Sequence, residues 1–212
     1  MWLRVGRERR VAAIAILVLN ALIGRPDRCD AAGEAPSSRV EFSATLVKKV
    51  NGKQHQAQVF AKGDRLRLEY KYALRTDFGY AAIEIVRLDL AETWYVLAQQ
   101  KILLVLPLDP DDALPVRPEL PGESGRMLVG DATVAGRAAT LFEVQTSRHG
   151  RSERFYEWVD IESGVVLKLV SRDRDWAFEY ERFRLALQPG VYFDAPPGYM
   201  RRNGATGPQR RE

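Results

Sequence analysis

The stretch Gly130-Asp131-Ala132-Thr133-Val134-Ala135-Gly136-Arg137, read on through Val170, decides the fold. A glycine-bounded turn leads into one extended run, Thr140 to Thr146, and then a polar loop. A second run follows, Phe155-Tyr156-Glu157-Trp158-Val159-Asp160, then a Glu162-Ser163-Gly164 turn and a third run, Val165 to Val170. Aromatic and β-branched residues between glycine breaks predict a meander of antiparallel strands, because glycine opens backbone angles closed to other residues. No nucleophile–base pair, metal-ligand cluster or phosphate loop interrupts it. The stretch reads as a wall that shelters something apolar.

The same pattern runs upstream. Val40, Phe42, Ala44 and Leu46 alternate with Glu41, Ser43 and Thr45, the period of a strand with one buried face. Asn51-Gly52 separates this run from Gln54 to Phe60 and predicts a tight hairpin turn, since both residues tolerate positive φ. Lys62-Gly63-Asp64 makes a second turn. Beyond it Leu66, Leu68, Tyr70 and Tyr72 fall on one face and Arg65, Arg67, Glu69 and Lys71 on the other. Ala81 to Leu90, Thr93 to Leu97 and Lys101 to Leu108 read as further strands, with helix over Tyr80 to Glu92 as the weaker alternative. Ile102 to Leu106 is apolar without a break, which predicts cover on both faces.

Residues Asp109 to Gly125, rich in proline and acid, read as a long irregular connection with one helical turn near Asp111 to Leu114. The closing strands are Trp176 to Tyr180, continued through Phe183, Leu185 and Leu187, and an extended return over Gln188 to Tyr199. Eight or more alternating strands imply a mainly β fold, an antiparallel and strongly curved half-barrel. A single sheet cannot bury its apolar face alone, so a helix, a loop such as 109–125, a second sheet or a ligand must cover the concave side.

The N-terminus predicts the compartment. Arg4, Arg7, Arg9 and Arg10 precede the apolar run Val11 to Ile23, which is short for a membrane span and suits a periplasmic secretory signal over residues 1–32, with an uncleaved N-terminal membrane anchor as the alternative. A linker over 33–39, a domain over 40–199 and a basic disordered tail over 200–212 complete the expected organisation. The lone cysteine, Cys29, leaves with the signal, so stability must come from the core. The net charge of +4 sits in the two ends. A near-neutral body offers no footprint for nucleic acid, while the basic tail could touch acidic lipid at a membrane surface.

Candidate chemistry is sparse. His55 and His149 lie in polar segments far apart, and Gly122-Glu123-Ser124-Gly125 lacks the strand–turn–helix setting of a serine nucleophile. Acid pairs such as Asp111-Asp112 and Glu179 with Glu181 read as solvated surface. The expectation is therefore no catalytic residue, no metal site and no cofactor. The aromatic set carries more weight. Leu66, Leu68, Tyr70, Trp94, Trp158, Trp176 and Phe178 lie on successive strands; taken singly each reads first as core, and together they suit the apolar lining of a ligand cavity.

Several motifs occur in a telling order: Gly63-Asp64-Arg65-Leu66-Arg67-Leu68-Glu69; Arg87-Leu88-Asp89 with Glu92 to Leu97 and Gln99-Gln100-Lys101; Val134 to Arg137; Tyr156 to Asp160 with Gly164 to Lys168; and Phe193-Asp194-Ala195-Pro196-Pro197-Gly198-Tyr199. In this order, over roughly residues 40 to 199, they resemble the outer-membrane lipoprotein carrier and sorting superfamily (LolA-, LolB- and RseB-like), in particular its LolA-like branch. The resemblance implies an unclosed β-barrel whose concave face encloses acyl chains beneath helices. It also implies an early-strand arginine that holds the lid, for which Arg65 and Arg67 are the candidates. Two departures accompany it: helical periodicity is scant where lid helices belong, and 109–125 is too acidic and proline-rich for a hydrophobic lid. The expected function is a non-catalytic periplasmic protein that binds lipid or an acylated lipoprotein. The alternative is an envelope protein–protein interaction or stress-sensor module with a self-filled barrel.

Overall fold

A computed structural model describes residues 40–109, 113–148 and 150–204. The expected signal peptide and linker lie outside the described residues, as do Asp111-Asp112 and His149. The described chain forms one open, curled sheet. Its strands are β1 (Glu41–Val50), β2 (Lys53–Lys62), β3 (Arg65–Thr76), β4 (Gly79–Arg87), β5 (Glu92–Leu97), β6 (Ile102–Pro107), β7 (Glu123–Val134), β8 (Arg137–Arg148), β9 (Arg151–Asp160), β10 (Val166–Ser171), β11 (Trp176–Leu185) and β12 (Met200–Asn203). Spatially they run β12-β6-β5-β4-β3-β2-β1-β11-β10-β9-β8-β7. Two local meanders, β1 to β6 and β7 to β11, are thus joined where β1 pairs antiparallel with β11. This is the mainly antiparallel, strongly curved half-barrel that the alternation predicts.

The turns follow from their residues. Asn51 (φ 49°) and Gly52 (φ 73°) both take the left-handed region, which a two-residue hairpin with the native twist requires. Ala135 (φ 51°) and Gly136 (φ 77°) do the same between β7 and β8. The expected turn at 130–137 therefore shrinks to its last residues. Residues 123–134 instead form a twelve-residue edge strand that the sequence pattern conceals. An edge strand with little cover on either face needs no alternation, and β7 shows none.

The main core lies on the concave face. Phe42, Tyr180 and Phe178 stack in sequence, with centroids 5.5 Å (Phe42–Tyr180) and 5.2 Å (Phe178–Tyr180) apart, and Trp176 and Phe155 extend the row. Leu66 and Leu68 join this cluster, as their alternation predicts. Tyr72 does not. A register shift between Glu69 and Leu74 turns it out, and it is 77% exposed. Residues Tyr80 to Arg87 are strand rather than helix, followed by a single 3-10 turn at Leu88–Leu90.

The convex face of β1 to β6 is covered by the returning C-terminal segment. The Gln188 amide donates to Glu41, Lys62 donates back to the Gln188 carbonyl, and Arg67 donates to the Tyr192 carbonyl. Tyr192 meets the Phe60 ring edge-on at 5.3 Å. β12 then pairs parallel with β6. Hence Leu103 to Leu106 are all buried, with Leu104 and Leu106 in one cluster and Leu103 and Val105 in another. This pairing also corrects the domain boundary expected at 199. Met200–Asn203 are ordered into the sheet because β6 would otherwise leave a row of backbone groups unpaired.

Candidate functional site

The concave face is covered by a strap, residues 113–122, and not by a helix; among the described residues there is no α-helix. Leu114, Val116 and Leu120 of the strap are buried in the main core. The strap rejoins the sheet at Gly122 (φ +72°), where a Cβ would stand 2.8 Å from the Ser147 carbonyl oxygen; the Ser147 amide donates to the Gly122 carbonyl at 2.7 Å. Only glycine allows this approach.

Three arginines hold the strap. Arg126 of β7 donates to the Pro118 carbonyl, to both carboxylate oxygens of Glu123, and to Glu157 at 2.5 Å. Arg148 of β8 donates to the Pro121 carbonyl at 2.7 Å. Arg117 of the strap reaches across to Asp64 at 3.1 Å. These residues escape a local reading of the sequence, since Arg126 and Glu157 are 31 positions apart.

Arg65 and Arg67, the expected lid contacts, are placed elsewhere. Strand alternation sends them to the face opposite Leu66 and Leu68. There Arg67 binds Glu69 and lies over the Tyr192 ring, and Arg65 lies 3.6 Å from Asp89. The arginines that bind the strap lie instead on β7, on β8 and on the strap itself.

Between the strap and strands β8 to β11 lies a cavity of about 510 Å³. Its apolar wall includes Leu114, Leu120, Phe155, Leu169 and Trp176, and Arg148, Arg151, Glu153 and Arg174 stand at one end. The indole Nε1 of Trp176, 4% exposed, has no hydrogen-bond partner.

Of the seven expected lining residues, Trp176 alone borders this cavity. Leu66, Leu68 and Phe178 are buried in the core beside it. Tyr70 faces the same side but donates to Glu84 at 2.6 Å. Trp94 packs with Ile85, Val96, Leu103 and Val105 on the other face, with the Arg87 and Arg201 guanidiniums over its ring. Trp158 alternates away from Phe155 and Glu157 and lies beneath the Lys168 ammonium.

Glu157 is the site's unusual ion. It is fully buried, one carboxylate oxygen faces Arg126 and the other has no partner. Burial pushes its pKa up to about 7, against the pull of Arg126. The folded state therefore binds this proton more tightly than the unfolded state does. Its stabilising share is complete below the unfolded value of 4.5 and is lost as pH rises through about 7, a fall of ~3 kcal/mol at ~1.4 kcal/mol per unit. Glu41, held low by the Gln188 amide, and Glu123, held low by Arg126, act oppositely and lose their share only below the ordinary carboxylate range. Urea unfolding should show stability declining from pH 5 to pH 8, and Glu157→Gln should flatten that decline. An unchanged slope in the variant would assign the decline to another group.

Among the described residues no group of three or more His, Cys, Asp or Glu is placed to hold a metal ion. Ser124 lies on the edge strand and donates to the Gln145 carbonyl.

No family model matches the sequence, and no curated protein matches it. Solved structures do. MucB shares 21% identity over 76% of this chain and 59% of its own, with a TM-score of 0.51. The complex of Pseudomonas aeruginosa MucA and MucB gives 22% identity over 77% of this chain and 59% of that chain, with a TM-score of 0.48. A domain assigned to outer membrane lipoprotein sorting in Vibrio parahaemolyticus gives 9%, 72%, 89% and 0.34. The correspondence with MucB shows that the two chains share a fold. The chain spans about three-fifths of the length of the MucB chain.

Proposed function

We propose that a protein with this half-barrel serves the cell envelope as a non-catalytic binding protein, exported by its N-terminal signal. It shelters the apolar chain of a lipid or of an acylated lipoprotein beneath the 113–122 strap. The observation that carries this reading is the cavity. Its volume of about 510 Å³ falls in the range of small-molecule sites, about 300–1,000 Å³. Phe155, Leu169 and Trp176 meet the strap's leucines there, and every methylene buried among such residues contributes about 0.8 kcal/mol.

Trp176 supplies the test. Titrating the purified protein with a long-chain fatty acid should shift tryptophan emission, and Trp176→Phe should remove the shift while Trp94 and Trp158 still emit. Unchanged emission at saturating fatty acid would rule out lipid beneath the strap.

A second reading, as a protein-binding module, draws on the edge strand β7. Met127, Leu128 and Val129 are 58%, 64% and 49% exposed on a strand with one unpaired edge, a surface suited to strand addition. Native mass spectrometry of protein from an envelope fraction separates the two. Added mass of a phospholipid or acylated peptide supports the first, and a bare cavity with a bound polypeptide supports the second.

A further inference from the structure

The size of the void beneath the strap limits what it can hold. An apolar cavity of about 150 Å³ takes up one benzene, so a packed carbon needs about 25 Å³. At that packing the cavity of about 510 Å³ holds about 20 carbons, which is one long acyl chain and not two.

That volume is fixed by what bounds it. The strap is latched by Arg117 to Asp64, by Arg126 to the Pro118 carbonyl, and by the Ser147 amide to the Gly122 carbonyl. The wall strands β8 to β11 are joined to one another by backbone ladders. Past Trp176 the row of Phe178, Tyr180 and Phe42 fills the concave side, each at 1% exposure or less, so the void does not continue there. The lining also has a direction. Leu114, Leu120, Phe155 and Leu169 offer no hydrogen bond, whereas Arg151 and Arg174 are exposed and Glu153 is half-buried at one end. Burying a charge costs far more than burying a methylene gains, so an amphiphile fits chain first, with its head left in water beside these three.

We propose that the cavity selects lipids with a single acyl chain, a fatty acid or a lysophospholipid, and excludes diacyl phospholipids and multiply acylated lipoproteins. This rests on the sheltering role proposed above and narrows it to one ligand class. A second chain would have to stay in water or lift the strap, and lifting it breaks the Arg126 and Gly122 contacts.

The test is a chain-length series. Saturated fatty acids of about 10 to 24 carbons, each kept below its micelle concentration, are titrated against the purified protein. Each methylene that enters should tighten binding about fourfold, equivalent to about 0.8 kcal/mol, and the gain should stop near 20 carbons. Leu120→Ala removes three carbons from the strap side of the lining, so its break should fall about three carbons later. Native mass spectrometry after incubation with palmitic acid, palmitoyl lysophosphatidylethanolamine and dipalmitoyl phosphatidylethanolamine should show one molecule of either single-chain lipid and no dipalmitoyl adduct; the relative occupancy of the first two tells which head is preferred. A dipalmitoyl adduct of equal intensity, or affinity that levels off before about 12 carbons or still climbs at 24, would overturn the single-chain selectivity and leave the sheltering role standing. No binding at any chain length would overturn both.

Discussion

Replacing Arg126 with alanine is expected to lower the unfolding free energy by about 3–5 kcal/mol near pH 8, among the largest effects of any single surface-reachable side chain here. The reason is Glu157. Its carboxylate is fully buried, and among the described residues Arg126 is the charge that compensates it. Removing that guanidinium leaves a buried anion, which then escapes its cost by taking up a proton. The penalty should therefore be distinctly smaller at pH 5, where the folded carboxyl is already neutral. The double variant Arg126→Ala/Glu157→Gln should regain much of the loss at pH 8. Urea denaturation of the three proteins at both pH values measures this. An equal penalty at pH 5 and pH 8 would mean that Arg126 acts through Glu123, the Pro118 carbonyl and the Phe142 ring, 5.0 Å away, and not through the charge of Glu157. The same substitution frees the Pro118 carbonyl, so proteolytic cleavage within 113–122 should quicken even where global stability is restored.

Truncating Phe178 to alanine should cost about 3–5 kcal/mol at any pH. Phe178 is 1% exposed and sits between Trp176, at 6.0 Å, and Tyr180, at 5.2 Å, in the row that continues to Phe42. The curved sheet around it is tied by backbone hydrogen bonds and cannot collapse onto the void. Tyr180 aggravates the case, since its buried hydroxyl has no partner and its surroundings offer none. Phe178→Leu, which keeps most of the volume, should lose far less. A loss of unfolding free energy below about 1 kcal/mol for the alanine variant, from urea denaturation, would show that the aromatic row is loosely packed.

The fold was legible where one face of a strand is buried and the other wet. The alternation of Val40 to Leu46 and of Leu66 to Tyr70 reports that condition directly, and these strands stand where it puts them. β7 was illegible for the converse reason: Met127, Leu128 and Val129 are all exposed, so the pattern carries no period. Trp94 packs on the other face because β5 is buried on both sides, and a strand buried on both faces does not say which way a given side chain points. Arg65 and Arg67 follow only from the resemblance, whereas their own alternation with Leu66 and Leu68 sets them on the other face. The latch itself joins Arg126 to a residue 31 positions away and to a strap carbonyl. Such contacts are made by topology and leave no local mark.

The pairing of β1 with β11 has a consequence for the order of events in folding. β1 forms a hairpin with β2 within a few residues, yet its other edge waits for Phe42 to meet Leu185, near the end of the chain. Until then each meander carries a raw edge, and the long loop between the two partners must close before any contact rewards it. Assembly of the full sheet should accordingly be slow, on the order of milliseconds to seconds. A nascent chain released short of β11 would present the unpaired β1 edge to its neighbours, a ready template for aggregation.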